Sequence, residues 1–569
     1  MEIDPATITA YEKKHFADPG FWIEHSHELR FESNREHAGK GVPGFFFQGT
    51  IEEKLPDVAV PFGLSFSRYG FRGVIGDEQL KYITHLKRLA ILDLRKCNIT
   101  DRGLEQLIPL KELFALELSG TKISEDGLKQ LTEFPNLTHL SLPSSLTNAG
   151  LKELRTLKRL RVLTLDDTKV TDQGLAELAS FQDLVVLELG GTQITDAGLG
   201  KLRDRKKLVG LGLHRTQITD LGLKSLTALD KLESLNLALT KVTDKGMRHV
   251  GQLRELSFLG LTKTSITDLK ELRQLTKLRV LNLHDTKISD AGMKELSGLH
   301  DLVYLGLSST SITGKGLKEI AGLPKLTRLD LSYTKIQGEE LRPLAPLRSL
   351  STLHLDDANI TDATLKTLRE IDSLLVLDYR FMRLDHRRPK STQAVDWLDL
   401  GSIPITDAGL KEVTHLKNVR DLVLYSTNIT DKGLKELVSF KKIRFLGLSG
   451  TKITDNGLKE LTALETLEVL DIGSTKVTGP GLRQLAKLKN LKSLGLYEMG
   501  ISDADLKDVA MLKNLSNLNL HKTQITDDGL IELATLSNLT MLQVSGTKVT
   551  DAGIERLQKR LPECLISRR

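Results

Sequence analysis

A chain of 569 residues is too long for one compact core, which stops growing at roughly 250–300 residues, so it holds several domains or a repeated array. The 80 lysines and arginines against 74 aspartates and glutamates leave a net charge of only +6, which gives no reason to expect a nucleic-acid partner. The two cysteines, Cys97 and Cys564, lie nearly a whole chain apart, which argues against a disulfide framework and favours a reducing compartment.

Residues 1–74 differ in composition from the rest of the chain. They contain 9 of the 16 phenylalanines together with Trp22, and apolar side chains alternate from Val58 to Phe66 in the pattern of a strand. The start of the chain lacks the basic and apolar stretches of a signal peptide, and no run of about 18 apolar residues predicts a membrane span. We predict an N-terminal cap or a small appended element over 1–74.

One phrase recurs from residue 75 onwards with a period of about 24 residues. The stretch LVVLELGGTQITDAGLGKL, which starts at Leu184, is typical. Twenty repeats can be aligned on the Thr of TxITDxGL, and each is named below by that residue. They are Cys97, Thr121, Ser145, Thr168, Thr192, Thr216, Thr240, Thr264, Thr286, Thr310, Thr334, Ala358, Met382, Ile403, Thr427, Thr451, Thr475, Met499, Thr523 and Thr547.

Each repeat predicts a strand, a turn and a short helix. The L-x-L core alternates apolar and polar residues as a strand does. An Asp precedes the G-L-x-x-L segment in 14 of the repeats, and we interpret it as an N-cap whose carboxylate accepts the first free N–H groups of the helix. The 14 aligned threonines are expected to form a hydrogen-bonding ladder between neighbouring turns. Stacked repeats bury about six aliphatic side chains each, at roughly 1.5–3 kcal/mol per side chain.

These motifs resemble the leucine-rich-repeat superfamily over residues 75–566. The ITDxGLKEL wording is most similar to F-box-type substrate receptors and to many bacterial cytoplasmic repeat proteins. F-box-type repeats usually carry Cys or Asn where this chain mostly carries Thr, so the bacterial class is favoured. The resemblance implies an α/β fold, a right-handed leucine-rich-repeat solenoid (horseshoe) with a parallel β-sheet on the concave face and short helices on the convex face. It implies a shared shape and not a shared ligand.

We place the repeat array at 75–556 and a C-terminal cap at 557–569. Leu561, Cys564 and Ile566 reproduce the leucine spacing of one more strand, so Cys564 is expected in the core. Cys97 stands at an aligned position and is expected there too.

One repeat, at 380–397, is irregular. The Met382 repeat reads RLDHRRPKSTQAVDWLDL and lacks the I-T-D-x-G-L segment. Pro389 and the basic residues Arg387, Arg388 and Lys390 favour a loop where a helix is expected. Loops on a rigid scaffold often carry function. The alternative is that a repeat which departs from the consensus in this way is only a tolerated insertion or a hinge.

The concave face is expected to be acidic. In the Thr427 repeat its four inner positions are Asp421, Val423, Tyr425 and Ser426. Over all repeats these positions carry 14 acidic and 7 basic side chains, although the whole chain is positive. A nucleic acid in the concavity would therefore face net repulsion.

Aromatic and acidic inner side chains concentrate around the irregular repeat, and Trp, Tyr and Arg are the residues that protein interfaces enrich at their hot spots. The predicted binding patch comprises Tyr304, Arg328, Asp330, Tyr333, His354, Asp356, Asp357, Asp378, Arg380, Phe381, Trp397, Asp399, Asp421, Tyr425 and Phe445. Its ligand is expected to be a protein or peptide with basic and apolar residues. The alternative is that exposed Asp and Tyr on an inner sheet have no binding role.

No catalytic residue, cofactor or metal site is predicted. His214, His284 and His521 occupy equivalent inner positions in separate repeats, so their rings are not expected to converge on one metal ion. The sequence contains no GxSxG, P-loop or HExxH motif.

We therefore interpret the chain as a cytoplasmic, bacterial, non-catalytic protein-interaction scaffold, monomeric by default. One alternative is a substrate-recognition subunit, or its mimic, in a ubiquitin-ligase-like complex, but residues 1–74 show no F-box helix pattern. Another is an enzyme with its activity confined to those residues, whose only local cluster is Glu24, His25, His27 and Glu28, typical of a solvated segment. A third is a repeat protein that only organises its own oligomers.

Overall fold

One short strand per repeat organises the chain. The structure, a computed structural model, describes residues 3–15, 17–25, 28–32, 41–67, 75–377 and 391–568. The chain divides into two units, Met1–Thr310 and Ser311–Arg569. This division does not test the predicted boundaries of the two caps and the repeat array, which remain predictions.

The first unit begins with an antiparallel element. Its strands are β1 Ala17–His25, β2 Glu28–Glu32, β3 Val42–Phe47, β4 Phe62–Ser65, β5 Leu89–Asp93, β6 Ala115–Glu117, β7 His139–Ser141, β8 Val162–Thr164, β9 Val186–Glu188, β10 Gly210–Gly212, β11 Ser234–Asn236, β12 Phe258–Gly260, β13 Val280–Asn282 and β14 Tyr304–Gly306. Strand β1 pairs antiparallel with β2 and β3. From β3 onwards each strand pairs parallel with the next one along the chain. The strand predicted from Val58 to Phe66 is thus confirmed only over its second half.

The helices of the first unit are short. They are α1 Pro5–His15, α2 Asp77–Leu80, α3 Asp101–Leu107, α4 Asn148–Glu153, α5 Asp196–Leu199, α6 Asp220–Leu226, α7 Asp244–Val250 and α8 Asp290–Met293. Segments of 3₁₀ helix lie at Gly127–Glu133, Leu154–Thr156, Gly174–Ser180, Gly200–Leu202, Lys270–Gln274 and Lys294–Leu296.

The second unit repeats the same alternation. Its strands are β15 Arg328–Asp330, β16 Thr352–His354, β17 Trp397–Asp399, β18 Asp421–Val423, β19 Phe445–Gly447, β20 Val469–Asp471, β21 Ser493–Gly495, β22 Asn517–Asn519, β23 Met541–Gln543 and β24 Leu565–Ser567. Strand β15 pairs parallel with β16, and β17 to β24 form a parallel sheet in chain order. The expected last strand exists, with Leu561 and Cys564 buried just before it.

The helices of the second unit are α9 Gly314–Ile320, α10 Asp362–Glu370, α11 Asp407–Glu412, α12 Asp431–Leu434, α13 Asp455–Leu461, α14 Gly479–Gln484, α15 Asp503–Val509, α16 Asp527–Leu530 and α17 Asp551–Gln558. Its 3₁₀ segments are Gly338–Leu344, Asp357–Asn359, Leu374–Val376, Thr392–Ala394, Glu436–Ser439, Leu485–Lys487 and Ile531–Thr535. In the described parts of the chain, no helix is long and apolar enough to cross a bilayer.

The leucines hold the strands in register. Leu187, Leu211 and Leu235 pair directly with one another across β9, β10 and β11, and all three are buried. A slip of one residue would turn these side chains to the opposite face of the sheet, so their burial fixes the register. The core is therefore a thin aliphatic layer between the sheet and the helices, as the repeat pattern predicts.

A left-handed turn follows most strands of the repeat array. There the residue before the aligned position has a positive φ, for example 68° at Gly191 and 58° at Arg215. The aligned threonine that follows is buried and bonds within its own turn: the Thr216 hydroxyl donates to the Leu213 carbonyl at 2.6 Å. The predicted ladder of these threonines between neighbouring turns is therefore wrong, because each hydroxyl is used locally.

In most of the repeats that carry it, the Asp of TDxGL joins neighbouring repeats. Thr195 is the N-cap of α5, and its side chain accepts the Ala197 N–H; Asp196 is the first helical residue. The Asp196 carboxylate accepts the Thr219 N–H at 2.8 Å and the Thr219 hydroxyl at 2.5 Å, from the next repeat. The prediction that Asp is the N-cap is wrong, because its carboxylate turns away from its own helix to the next N-cap.

We call this pair of bonds the Asp–Thr clasp. It recurs at Asp77–Thr100, Asp172–Thr195, Asp220–Thr243, Asp244–Thr267, Asp407–Thr430, Asp431–Thr454, Asp455–Thr478, Asp503–Thr526 and Asp527–Thr550. The hydroxyl and amide of Thr550 lower the pKa of Asp527, which keeps that carboxylate ionised. A Cβ on Gly222 would collide with the Asp196 carboxylate, so the Gly of TDxGL makes room for the clasp.

Within the described residues, the only helical segment that the irregular repeat at 380–397 contributes is the short 3₁₀ segment Thr392–Ala394. The Thr406 amide and hydroxyl donate to Asp362 at 2.8 and 2.6 Å, so the clasp runs from α10 directly to α11. Arg369 and Glu412 join the same two helices at 2.6 Å. The predicted loop residues Arg387, Arg388, Pro389 and Lys390 lie outside the described ranges.

Aromatic side chains fill the N-terminal element. The rings of Tyr11 and Phe45 stack with centroids 3.8 Å apart, and those of Phe47 and Phe66 with centroids 4.6 Å apart. The Tyr11 hydroxyl donates to the Pro56 carbonyl at 2.9 Å. Helix α1 is thereby fixed on the strands that extend the sheet beyond the first repeat.

Trp22 fills the inner side of the first repeats. Its indole lies over Gly63 and packs with Ile91 and Ala115, which occupy inner positions and are fully buried. Asp93, another inner residue, is 1% exposed because Arg95 and Ser65 cover its carboxylate. The inner positions Ile91, Asp93 and Ala115 of the first two repeats are therefore covered by other side chains of the same chain.

We expect Asp196→Ala to lower the free energy of unfolding by about 1.5–3 kcal/mol, because hydrogen bonds to a charged acceptor contribute that much. Urea unfolding measures it. Asp204→Ala is the matched control, since Asp204 is exposed in the same repeat, and should change stability by less than about 0.5 kcal/mol. A Thr219→Val change should add little to Asp196→Ala if the two side chains act together. Equal effects of Asp196→Ala and Asp204→Ala would contradict the clasp.

Candidate functional site

The inner face, the side of the sheet away from the helices, carries the variable chemistry of the repeats. In the Thr192 repeat its four positions are Val186, Glu188, Gly190 and Gly191. The helix side repeats the TDxGL segment and is closed by clasps, whereas the inner positions change from repeat to repeat. Differences that select a ligand therefore belong on the inner face.

Tyr304 is the one predicted patch residue in the first unit. It lies half-buried on β14, and its hydroxyl is 3.0 Å from the His284 ring. The remaining patch residues belong to the second unit.

Strands β15 and β16 bring together a first group of patch residues. Asp330 and His354 are direct neighbours across the two strands, and Arg328 begins β15. The Tyr333 N–H donates to Asp356 at 2.6 Å, and Tyr333 itself is 75% exposed. Asp357 follows and is exposed. Asp378, Arg380 and Phe381 lie outside the described residues, so their predicted role stays a prediction.

Strands β17 to β19 bring together a second group. Trp397, Asp421 and Phe445 form one row across the sheet. The rings of Tyr425 and Phe445 meet edge to face with centroids 6.5 Å apart. Asp399 lies in the adjacent row, which continues through Gly447 to Asp471. The half-buried aromatic side chains and carboxylates of this group share one continuous surface.

That row leads to a cluster which the predicted patch did not include. The Tyr497 hydroxyl donates to Asp471 at 3.0 Å and lies 2.8 Å from the Ser449 hydroxyl. The Gly473 N–H donates to the same carboxylate at 3.1 Å. Burial is the main cause that raises the pKa of Asp471, and burial likewise raises that of Tyr497. The polar groups of this half-buried cluster are therefore hydrogen-bonded to one another, and they form a polar floor on the inner face.

Two glycines allow the tyrosines to converge on this floor. The Tyr425 ring lies over Gly447 and the Tyr497 ring over Gly473, and a Cβ on either glycine would strike the ring. Tyr425 comes from the Thr427 repeat and Tyr497 from the Met499 repeat, on opposite sides of Asp471. Glycines at inner positions, flanked by large side chains in neighbouring repeats, were the sequence signal for this site.

A concavity of about 230 Å³ opens beside the cluster. Its walls include Phe445, Val469 and Tyr497, its floor Asp471, and its rim Met541, which is 49% exposed. The patch predicted from sequence therefore reaches only the edge of this concavity, at Phe445.

Profile comparisons bear on the family of this chain. A family model described as Leucine rich repeat matches residues 276–336, and a second leucine-rich-repeat model matches 84–107 and 229–249. These matches fall on the strand, turn and helix repeats described above. The protein is a leucine-rich-repeat protein. Its fold is the expected α/β solenoid of parallel strands and short helices.

A comparison with solved structures finds other leucine-rich-repeat proteins of similar fold. One is a leucine-rich-repeat protein of Leptospira interrogans, 23% identical with a TM-score of 0.40, covering 78% of this chain and 98% of that chain. Another is the ectodomain of the Arabidopsis thaliana membrane receptor kinase GASSHO1/SCHENGEN3, which is 17% identical with a TM-score of 0.45; the match covers 96% of this chain and 71% of that chain. A third is an internalin C2 of Listeria monocytogenes, which is 26% identical with a TM-score of 0.31; the match covers 41% of this chain and 92% of that chain. A search of curated protein sequences found no significant match.

Asp471→Asn should make the leucine-rich-repeat protein more stable at neutral pH. The folded state raises the pKa of Asp471 above its ordinary 3.8, so the folded chain favours the protonated carboxyl. That contribution to stability is present in acid and is lost as the pH rises through the folded pKa. Asparagine keeps an acceptor for Tyr497 without the charge. The free energy of unfolding, measured in urea from pH 4 to 7, should therefore favour the variant increasingly as the pH rises. A wild type that gains stability over the variant with rising pH would contradict this account.

Proposed function

We propose that this protein is a non-catalytic interaction scaffold that binds an extended peptide segment of a protein partner on the inner face of its second unit. The observation that carries the proposal is the concavity between Phe445 and Met541, with aromatic walls and a carboxylate floor. Such a hollow suits one or two side chains of a peptide better than a small molecule, for which pockets of roughly 300–1,000 Å³ are usual.

The composition of this surface supports the class of ligand. Aromatic residues are what interfaces enrich at their centres, and Trp397, Tyr425 and Phe445 lie on adjacent strands. The inner positions of β17 to β21 include Asp399, Asp421 and Asp471 but no lysine or arginine, within the residues 391–495 that the structure describes. This charge favours a peptide with basic residues next to apolar ones.

The architecture supports binding without large rearrangement. Register-locked strands and clasped helices hold the inner face in place before a ligand arrives, so little conformational entropy is lost on binding. We also propose a cytoplasmic location, in keeping with the presence of only two cysteines, Cys97 and Cys564, which are buried in different units of the chain.

Selection of random peptides displayed on phage against the immobilised full chain tests the proposal. Enriched peptides should pair Lys or Arg with Leu, Met or aromatic residues, because the cavity walls are apolar and the floor is acidic. Met541→Lys should weaken the selected peptides at least about tenfold, equivalent to about 1.4 kcal/mol, since it places a cation at the rim.

The matched control is Met511→Lys. Met511 is 48% exposed, as Met541 is 49% exposed, but it lies in the turn after α15 and not on a strand. It should leave peptide binding unchanged. Enrichment of acidic peptides, or equal weakening by both variants, would contradict binding at this concavity.

A further inference from the structure

Three side chains from consecutive repeats of the first unit meet on its inner face. Asp166, Glu188 and His214 each offer one ligand atom, and these atoms lie within 4.8 Å of one another. All three residues are half-buried. They come from the Thr168, Thr192 and Thr216 repeats, which are joined through β8, β9 and β10.

Glycines make the convergence possible. Gly190 lies between Asp166 and His214, and a Cβ there would collide with the His214 ring. Gly212 lies beside Glu188, and a Cβ there would collide with its carboxylate. Any larger residue at these two inner positions would push the three groups apart, so the cluster depends on both glycines.

Neighbouring contacts hold the cluster in place. The Gly190 N–H donates to Asp166 Oδ1 at 2.6 Å. Directly beside it, Asp167 and Arg215 form an ion pair of 2.7 Å across Gly191. This ion pair links the Thr168 and Thr216 repeats, which also supply Asp166 and His214. The backbone and this ion pair thus fix the positions from which Asp166 and His214 approach.

The His214 ring carries a nitrogen atom whose hydrogen bonding is unsatisfied within the described part of the chain. The Nδ1 atom of His214 is buried, and among the described residues it has no hydrogen-bond partner. Buried polar atoms are normally satisfied by protein, water or an ion. The two carboxylates beside the ring would bind a cation, and imidazole nitrogen is a common ligand of transition metals.

We propose that Asp166, Glu188 and His214 form a binding site for a divalent transition-metal ion, with zinc as its occupant. Calcium and magnesium prefer six or more oxygen ligands and do not need an imidazole, whereas zinc accepts one nitrogen and two carboxylate oxygens at about 2.0–2.2 Å. Three protein ligands leave a position for water. The bound ion would link three consecutive repeats.

His284 and His521, the two histidines at the inner position equivalent to that of His214, lack this setting. The positions equivalent to Asp166 and Glu188 are Ala238 and Gly260 for His284, and Gly473 and Gly495 for His521. Both rings have hydrogen-bond partners, His284 in Tyr304 and His521 in Ser545 at 2.7 Å. The prediction that the three histidines do not share one metal ion considered the histidines alone and did not include the carboxylates beside His214.

Zinc chloride titrated calorimetrically into the metal-free full chain tests the site. Wild type should bind one equivalent more than His214→Ala or Glu188→Gln, and zinc should raise its melting temperature more than theirs. Cobalt chloride should give visible absorption bands in wild type that His214→Ala loses. His284→Ala is the matched control and should still bind the same number of zinc ions as wild type. This comparison isolates the His214 site from any zinc that other histidines of the chain bind.

A glycine pair tests the geometry without touching a ligand. Gly190→Ala should lose the equivalent because its methyl group displaces the His214 ring, whereas Gly200→Ala, where a Cβ would meet nothing within 4 Å, should keep it. Melts in chelator confirm that each variant is folded. The proposal is overturned if wild type binds no zinc more tightly than about 100 μM, or if His214→Ala and His284→Ala bind the same number of ions.

Discussion

The Asp–Thr clasp is the interaction on which the rest of the structure depends. One carboxylate accepts both the amide and the hydroxyl of the next N-cap, as Asp196 does from Thr219, and charge-assisted bonds of this kind are the stronger ones in proteins. Because each clasp joins only neighbouring repeats, order spreads along the chain by contacts between neighbours, as in other repeat proteins. The clasp from Asp362 to Thr406 links α10 directly to α11, on either side of the irregular repeat in the sequence.

With the helix side fixed, the inner face is where the repeats differ. Large side chains at one inner position pack over a glycine of the preceding repeat, as Tyr497 does over Gly473 and His214 does over Gly190. This packing of a large side chain over a glycine brings aromatic and acidic groups together around Asp471 in the second unit. In the first unit it brings two carboxylates close to His214. Near the N-terminus the chain fills its own inner face with Trp22. The chemistry of each stretch therefore follows from which inner positions are glycine.

The repeat pattern was enough to predict the strands, the register and the buried leucines, because each follows from periodicity. Periodicity does not say where a side chain points around a turn, so the roles of Asp196 and Thr216 were predicted wrongly. The aromatic and acidic character of β17 to β19 was predictable from residues such as Trp397 and Asp421. The cavity beside Asp471 was not, because it depends on contacts between side chains two repeats apart, which no single repeat encodes.

Oxidative footprinting of the full chain bound to a selected peptide tests most directly whether the inner face of the second unit is the binding surface. Met541 and Met511 are almost equally exposed, at 49% and 48%, so free protein should oxidise at both. The account predicts that the peptide protects Met541 and leaves Met511 reactive. Protection of Met511 alone, or of neither residue at saturating peptide, would contradict it.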